Sequence, residues 1–259
     1  DAIAVSQGPG LAPCLLQGLG FAKELSEKLK RPIVPVNHCI AHLEIGITIG
    51  AKNPVMLYAS GANTQIIAYS AGKFRVFGET LDIGVGNFID TFARYAGIGF
   101  PGGPVIEKLA MESSRLIKLP YKVKGMDIAL SGILTNLKQK LESGEYRLQD
   151  LAFSLQETVF AMLVEVAERA MAHTGKKELL LGGGVACNKR LQSMCKTMCE
   201  ERGAKFFVPS NDLLQDNGAM IAFLGEILFK NGDYINIEDI DKLDIKPRQR
   251  TDEVEIKYR

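Results

Sequence analysis

Glu178-Leu179-Leu180-Leu181-Gly182-Gly183-Gly184-Val185-Ala186-Cys187-Asn188 reads as a short apolar strand that stops in three glycines and opens a helix. An apolar run this short, bounded by glycine, suits a buried strand. Three glycines in a row form neither strand nor helix well, and they let backbone approach a ligand closely. The helix runs from Ala186 to Arg202, and the strand Phe206-Phe207-Val208-Pro209 follows it. A loop carrying Asp216 and a helix from Asn217 to Lys230 complete the segment. The start of the chain repeats this plan. Ala2-Ile3-Ala4-Val5 runs into Gln7-Gly8-Pro9-Gly10, then come a helical stretch from Leu11 to Lys30, the strand Ile33-Val34-Pro35-Val36 and a helix opening at His38. Gly8 to Pro35 spans 27 residues and Gly183 to Pro209 spans 26. Matching spacing of this kind points to structural duplication.

Between the two copies, Val55 to Tyr58, Thr64 to Tyr69 and Phe74 to Phe77 read as three successive strands. The first two are joined by Ala59-Ser60-Gly61-Ala62-Asn63, a tight turn of small and hydrogen-bonding residues. A three-strand meander followed by strand–helix units resembles an actin-like, RNase H-like lobe, in proteins that hold a nucleotide between two lobes. The predicted architecture is therefore α/β, with duplicated lobes of this actin-like (ASKHA) class and a nucleotide and metal cleft. The expected divisions are a remainder of the first lobe at 1–53, a second lobe at 54–232 with a helical insertion at about 97–150, and a C-terminal tail at 233–259. The first lobe has no meander of its own, and Asp1 falls inside a strand pattern; a segment missing ahead of Asp1 is the expected reason.

Bulk composition narrows the class. With 259 residues, 46% hydrophobic and 24% charged, the chain suits two lobes or one large α/β domain. A formal net charge of +1 gives no global attraction for nucleic acid, so such a partner needs a local basic patch. Five cysteines without a CxxC pair predict reduced intracellular thiols. No run of 18 apolar residues and no signal peptide are seen, which predicts a cytoplasmic protein with no membrane partner.

Two of the three histidines, His38 and His42, are four residues apart after a strand, so on a helix they share one face. Neutral imidazoles so placed read as half of a metal site, or else as polar side chains at a helix start. Asp216 follows the second copy's strand much as His38 follows the first's. It is either an N-cap, ahead of Asn217-Gly218-Ala219-Met220, or the third ligand of a facial set, converging from the opposite lobe. Asp90 is a candidate hydrogen-bond acceptor for a ligand hydroxyl or a solvated helix charge. Phe100-Pro101-Gly102-Gly103-Pro104 is a stiff turn with Glu107 one helical turn beyond it. His173 ends a long helix before Gly175, a structural position.

These segments together resemble the universal tRNA threonylcarbamoyladenosine transferase family, most closely the archaeal and eukaryotic catalytic subunit of the KEOPS complex. The resemblance is carried by Ser6-Gln7-Gly8-Pro9-Gly10-Leu11, Val36 through Gly46, Leu57 through Gln65 and Phe77 through Asn87. It continues through Phe100 to Pro104, Lys124-Gly125-Met126-Asp127, Gly182 to Leu191, Asp216 to Ala222 and Arg250-Thr251-Asp252-Glu253-Val254. It implies transfer of a threonylcarbamoyl group from threonylcarbamoyl-AMP to N6 of the adenosine next to the anticodon. It also implies one divalent metal, iron or zinc, on His38, His42, Tyr58 and Asp216, with those histidines and Asp216 as catalytic residues. Nucleotide and substrate contacts map onto Tyr58, Ala59, Ser60, Gly61, Ala62, Asp90, Gly103, Glu107 and Asn188. Implied partners are tRNA, a small kinase-like KEOPS subunit, and a small dimerising subunit near the first lobe. Ala62 and Leu130 depart from the family pattern, which commonly has glycine and an aromatic there.

Three rivals follow from the same residues. A zinc peptidase needs a glutamate after the first histidine, and Cys39 stands there. An actin-like small-molecule kinase rarely places a histidine pair between lobes. A non-catalytic scaffold has no need to keep every ligand. Cys39 is the one thiol placed to form a covalent acyl-enzyme, and no Ser-His-Asp or Cys-His set accompanies it. Lys122, Lys124 and Lys246-Pro247-Arg248-Gln249-Arg250 are candidate tRNA phosphate contacts, or solvated surface.

Overall fold

In the computed structural model, which describes residues 1–259, the strand–helix–strand plan forms twice. β1 (Ile3–Gly8) and β2 (Ile33–Asn37) pair in parallel, Ile3 opposite Ile33 and Ser6 opposite Val36. Parallel neighbours need a crossover, and α1 (Ala12–Leu29) provides it. Pro13 lies in its first turn, where a fixed φ costs nothing. α2 (His38–Glu44) follows β2 without a loop. Its cap is Asn37, whose side chain accepts from the Ile40 N–H at 3.1 Å.

β3 (Val55–Ala59), β4 (Thr64–Ser70) and β5 (Lys73–Glu79) form the predicted meander, β3 and β4 antiparallel from Val55–Ala68 to Ala59–Thr64. There follow α3 (Val85–Tyr95), α4 (Gly103–Met111), the short hairpin of β6 (Val123–Lys124) and β7 (Asp127–Ile128), α5 (Ser131–Glu142) and the long α6 (Leu148–Thr174). β8 (Glu178–Gly182) runs parallel to β3, α7 (Lys189–Glu201) crosses over, and β9 (Lys205–Phe207) runs parallel to β8. The sheet order is β5-β4-β3-β8-β9. β3 and the leucines of β8 are buried throughout, so both read as continuous apolar runs rather than alternating ones. α6 lays Leu155, Val159, Phe160 and Leu163 into this core. The helix expected from Ala186 starts later. Gly184–Cys187 is a 3-10 turn, and α7 begins after its cap Asn188.

α8 (Asn211–Leu214) and α9 (Gly218–Lys230) are the last α-helices, and 3-10 turns at Ile237–Lys242 and Thr251–Glu253 follow in the tail. Residues 1–50, 69–75 and 216–259 form one compact unit, and 51–68 with 76–215 form the other. These bounds differ from the divisions at 53/54 and 232/233: α9 and the tail both belong with β1 and β2. Packing explains it. α9 lies against β1, β2 and α2. Gly225 approaches Ala4 so closely that a Cβ on it would overlap the alanine methyl. The tail is also built in. Ile235 and Ile33 exchange backbone hydrogen bonds of 2.8 and 3.0 Å, and Ile240 and Leu243 share a core with Val5, Leu19 and Ala22.

Candidate functional site

In the first unit, α2 and the start of α9 bring His38, His42 and Asp216 together. Asp216 Oδ1 lies 3.0 Å from His38 Nε2 and 3.3 Å from His42 Nε2. The two imidazole centroids are 4.9 Å apart with their planes at 81°. The ligating atoms of all three side chains fall within 4.8 Å of one another. Two imidazole nitrogens and a carboxylate oxygen form a donor set suited to zinc or ferrous iron, so the residues fit such an ion. The N-cap alternative for Asp216 fails. Asn217 caps α9, accepting from the Met220 N–H at 2.9 Å, and leaves the Asp216 carboxylate outside the helix. The expectation of convergence from two lobes also needs correcting, since all three residues belong to one unit. Their sharing of it follows from α9 packing on β1 and β2.

Burial separates the three groups. The His42 side chain is 1% exposed, His38 19% and Asp216 81%. Hydrogen bonds from His38 and then His42 hold the Asp216 carboxyl well below the usual carboxylate range. Burial pulls the His42 imidazole below its ordinary value, against the opposing hydrogen bond to Asp216. Native His42 is therefore neutral where unfolded His42 takes a proton. With metal chelated, stability should fall as pH drops below the unfolded value of about 6.5. Asp216 stays ionised in both states through that window and contributes no slope. Urea midpoints at pH 7.5 and 5.0 should differ for the native chain, and His42→Gln should flatten the difference. An equal slope in both would show that another group titrates.

The second unit contains a cavity of about 370 Å³ between α3, α4, α6 and the start of α7. Gly61, Asp90, Gly103, Glu107 and Asn188 line it, five of the positions onto which the resemblance maps nucleotide contacts. Each polar member is braced. Asp90 Oδ1 accepts from the Gly102 N–H at 2.8 Å, and Glu107 Oε1 from the Lys189 N–H at 2.7 Å. Asn188 Oδ1 caps α7 at Arg190 and Leu191, while its Nδ2 donates to Gln156 Oε1 at 2.6 Å. Phe100 and Cys187, from segments quoted in the sequence without a ligand role of their own, also line the cavity, as does Gln156, which was not singled out there. For Gln156 the available signal was a glutamine in the buried stripe of α6. Burial pushes the Cys187 thiol up, so it stays protonated and is a poor nucleophile. Cys39 is itself buried.

Tyr58, Ala59, Ser60 and Ala62 are not among the lining residues. Tyr58 and Ala59 are buried on β3, in the second unit, and the place of Tyr58 among metal ligands rests on the resemblance alone. The Ala59–Asn63 turn is docked on α3 by the carbonyls of Ser60 and Gly61, which accept from Gly86 and Asn87 at 3.0 and 2.9 Å. Of the three glycines, Gly182 pairs with Tyr58 in the sheet and Gly183 packs on Ala59, so only Gly184 faces the cavity. Lys122, Lys124, Lys246, Arg248 and Arg250 are exposed. No helix is long and apolar enough to cross a membrane.

The family model for tRNA N6-adenosine threonylcarbamoyltransferase matches residues 1–223. The chain is 58% identical over 256 residues to the tRNA N6-adenosine threonylcarbamoyltransferase of Thermococcus kodakarensis, covering 99% of this chain and 78% of that protein. It is 54% identical over 259 residues to a probable bifunctional tRNA threonylcarbamoyladenosine biosynthesis protein of Methanocaldococcus jannaschii, covering 48% of it. Among solved structures, T. kodakarensis HypF superposes with TM-score 0.72 at 15% identity, over 90% of this chain and 41% of that one. The Acidaminococcus fermentans (R)-2-hydroxyglutaryl-CoA dehydratase component A gives TM-score 0.51 at 15% identity, over 92% and 90%. Both share the α/β fold.

Proposed function

Because the chain belongs to the tRNA N6-adenosine threonylcarbamoyltransferase family, we propose that it moves the threonylcarbamoyl group from threonylcarbamoyl-AMP to N6 of the adenosine 3′-adjacent to the anticodon, in tRNAs reading codons that begin with A. One observation carries the mechanistic part: a single carboxylate oxygen of Asp216 stands between the Nε2 atoms of His38 and His42. When bound there, an iron or zinc ion would supply Lewis-acid polarisation of the donor's oxygens. The cavity lined by Asp90, Glu107 and Asn188 takes the adenine nucleotide, its polar groups already held in place by internal hydrogen bonds. The exocyclic amine of adenosine is a weak nucleophile, so holding it against an activated carbonyl supplies most of the acceleration. AMP is a stable leaving anion and calls for no covalent acyl-enzyme.

The exposed cations Lys122, Lys124, Lys246, Arg248 and Arg250 suit tRNA phosphates. Leu11, Leu16 and Phe21 on and beside α1 are exposed and apolar, which suits the small dimerising KEOPS subunit; a kinase-like subunit completes the expected set. The test supplies the chain and those subunits with threonylcarbamoyl-AMP and unmodified tRNA, and reads modified nucleoside by mass spectrometry beside the metal content. Threonylcarbamoyladenosine should accumulate. Its absence from a metal-loaded, partner-complete reaction overturns the proposal, and steady ATP turnover with a small alcohol would favour the kinase reading.

A further inference from the structure

α2 is seven residues long, too short to be stable by its own hydrogen bonds, yet it carries both histidines. Packing holds it along its length, with Cys39 to Leu43 buried and α9 against it, and two further holds grip its ends, both from one segment of the tail. At the N-terminal end, Asn37 Nδ2 donates to Gln249 Oε1 at 3.1 Å. That bond sets the Asn37 amide so that its oxygen faces the Ile40 N–H and caps the helix. At the C-terminal end, Glu44 is fully buried. Its carboxylate accepts from Tyr258 Oη at 3.0 Å and from Arg259 Nε and Nη2 at 2.9 and 2.7 Å. The guanidinium in turn lies 5.4 and 5.3 Å from the ring centres of Tyr69 and Phe74. All of these residues belong to the first unit.

We propose that Gln249, Tyr258 and Arg259 are positioning residues: they clasp α2 at both ends and set the direction in which His38 and His42 present their nitrogens. The inference rests on the metal reading above but concerns different residues. Its physical basis is the fork geometry of the Arg259–Glu44 pair, which fixes orientation as well as distance. A lysine would restore the charge but not the fork. Burial also makes the pair asymmetric: removing Arg259 leaves a buried carboxylate without its cation, which the helix end must move to solvate.

The experiment compares Arg259→Met, Arg259→Lys and Gln249→Ala with Lys257→Met in the full chain. Lys257 is in the same tail but pairs with Asp233 and Glu255, not with α2. Co²⁺ is titrated and its visible absorption recorded, with Zn²⁺ competition giving affinity and hydrogen exchange reporting the amides of residues 38–44. Arg259→Met should weaken Zn²⁺ about 10-fold and alter the Co²⁺ spectrum, the low end of the loss for a group bonded directly to a ligand, because Arg259 reaches the histidines only through Glu44 and α2. Arg259→Lys should recover part of that loss, Gln249→Ala should loosen the first turn of α2 with a smaller effect, and Lys257→Met should match the native chain. Arg259→Met with native affinity, spectrum and exchange overturns the clasp, as does an equal loss in Lys257→Met. A native chain that binds neither metal overturns the metal reading instead, and exchange on α2 then decides the clasp alone. If Arg259→Met does not fold, Gln249→Ala decides the same question from the other end of the helix.

Discussion

Asp216→Ala should empty the metal centre and lower threonylcarbamoyl transfer about 1,000-fold while the chain stays folded. The size follows from charge. Lewis-acid stabilisation of a developing negative charge is worth several kcal/mol, and about 4 kcal/mol corresponds to three decades in rate. Asp216 is the only anionic member of the trio, so its loss removes both a ligand and the charge that offsets a divalent ion. Folding should be spared because the side chain is 81% exposed and the cap of α9 is the neighbouring Asn217. Asp216→Asn separates the two contributions, keeping the shape and an oxygen donor while removing the charge. Elemental analysis, single-turnover transfer and a melting curve on each variant make the test. Full transfer by a metal-free Asp216→Ala chain would remove the metal from the mechanism.

Gly183→Ala and Gly184→Ala, one residue apart, should behave in opposite ways. Gly183 has φ of 89°, and a Cβ there would lie 2.5 Å from the Ala59 carbonyl oxygen. With ψ at 161° this is an extended positive-φ backbone that essentially only glycine adopts, costing roughly 1–3 kcal/mol for a residue with a Cβ, and forcing β3 away from β8 adds roughly 1–3 kcal/mol of overpacking. The urea midpoint should therefore fall by the equivalent of about 3 kcal/mol, a large share of a typical domain's stability. Gly184 has open space around its Cβ position and lines the cavity. Alanine there should leave the midpoint nearly unchanged and weaken adenine-nucleotide binding, read by calorimetry. Equal destabilisation by both would show that the glycines act as a flexible run and not as two separate contacts.

The local chemistry of this chain was legible from residues alone. Apolar runs at Val55–Tyr58 and Leu179–Leu181, closed by small residues, mark strands because buried strands have no polar face to alternate. The i, i+4 spacing of His38 and His42 places both on one helical face, since helix geometry depends only on sequence separation. Five of the residues mapped to nucleotide contact, Gly61, Asp90, Gly103, Glu107 and Asn188, do meet in one cavity.

Long-range packing was not legible. Asn217 takes the cap locally, but whether Asp216 then faces the histidines depends on α9 seating Gly225 against Ala4, about 220 positions away in the chain. Nothing in the spelling of the tail marks it as core or as a clasp, because Arg259 and Glu44 are ordinary charged residues until folding buries one against the other. Periodicity and turn chemistry act between near neighbours, so the elements and the ligand types can be read from residue order. Shape-dependent burial joins distant segments, so the unit that holds Asp216 and the anchor of the helix beside it emerge on folding.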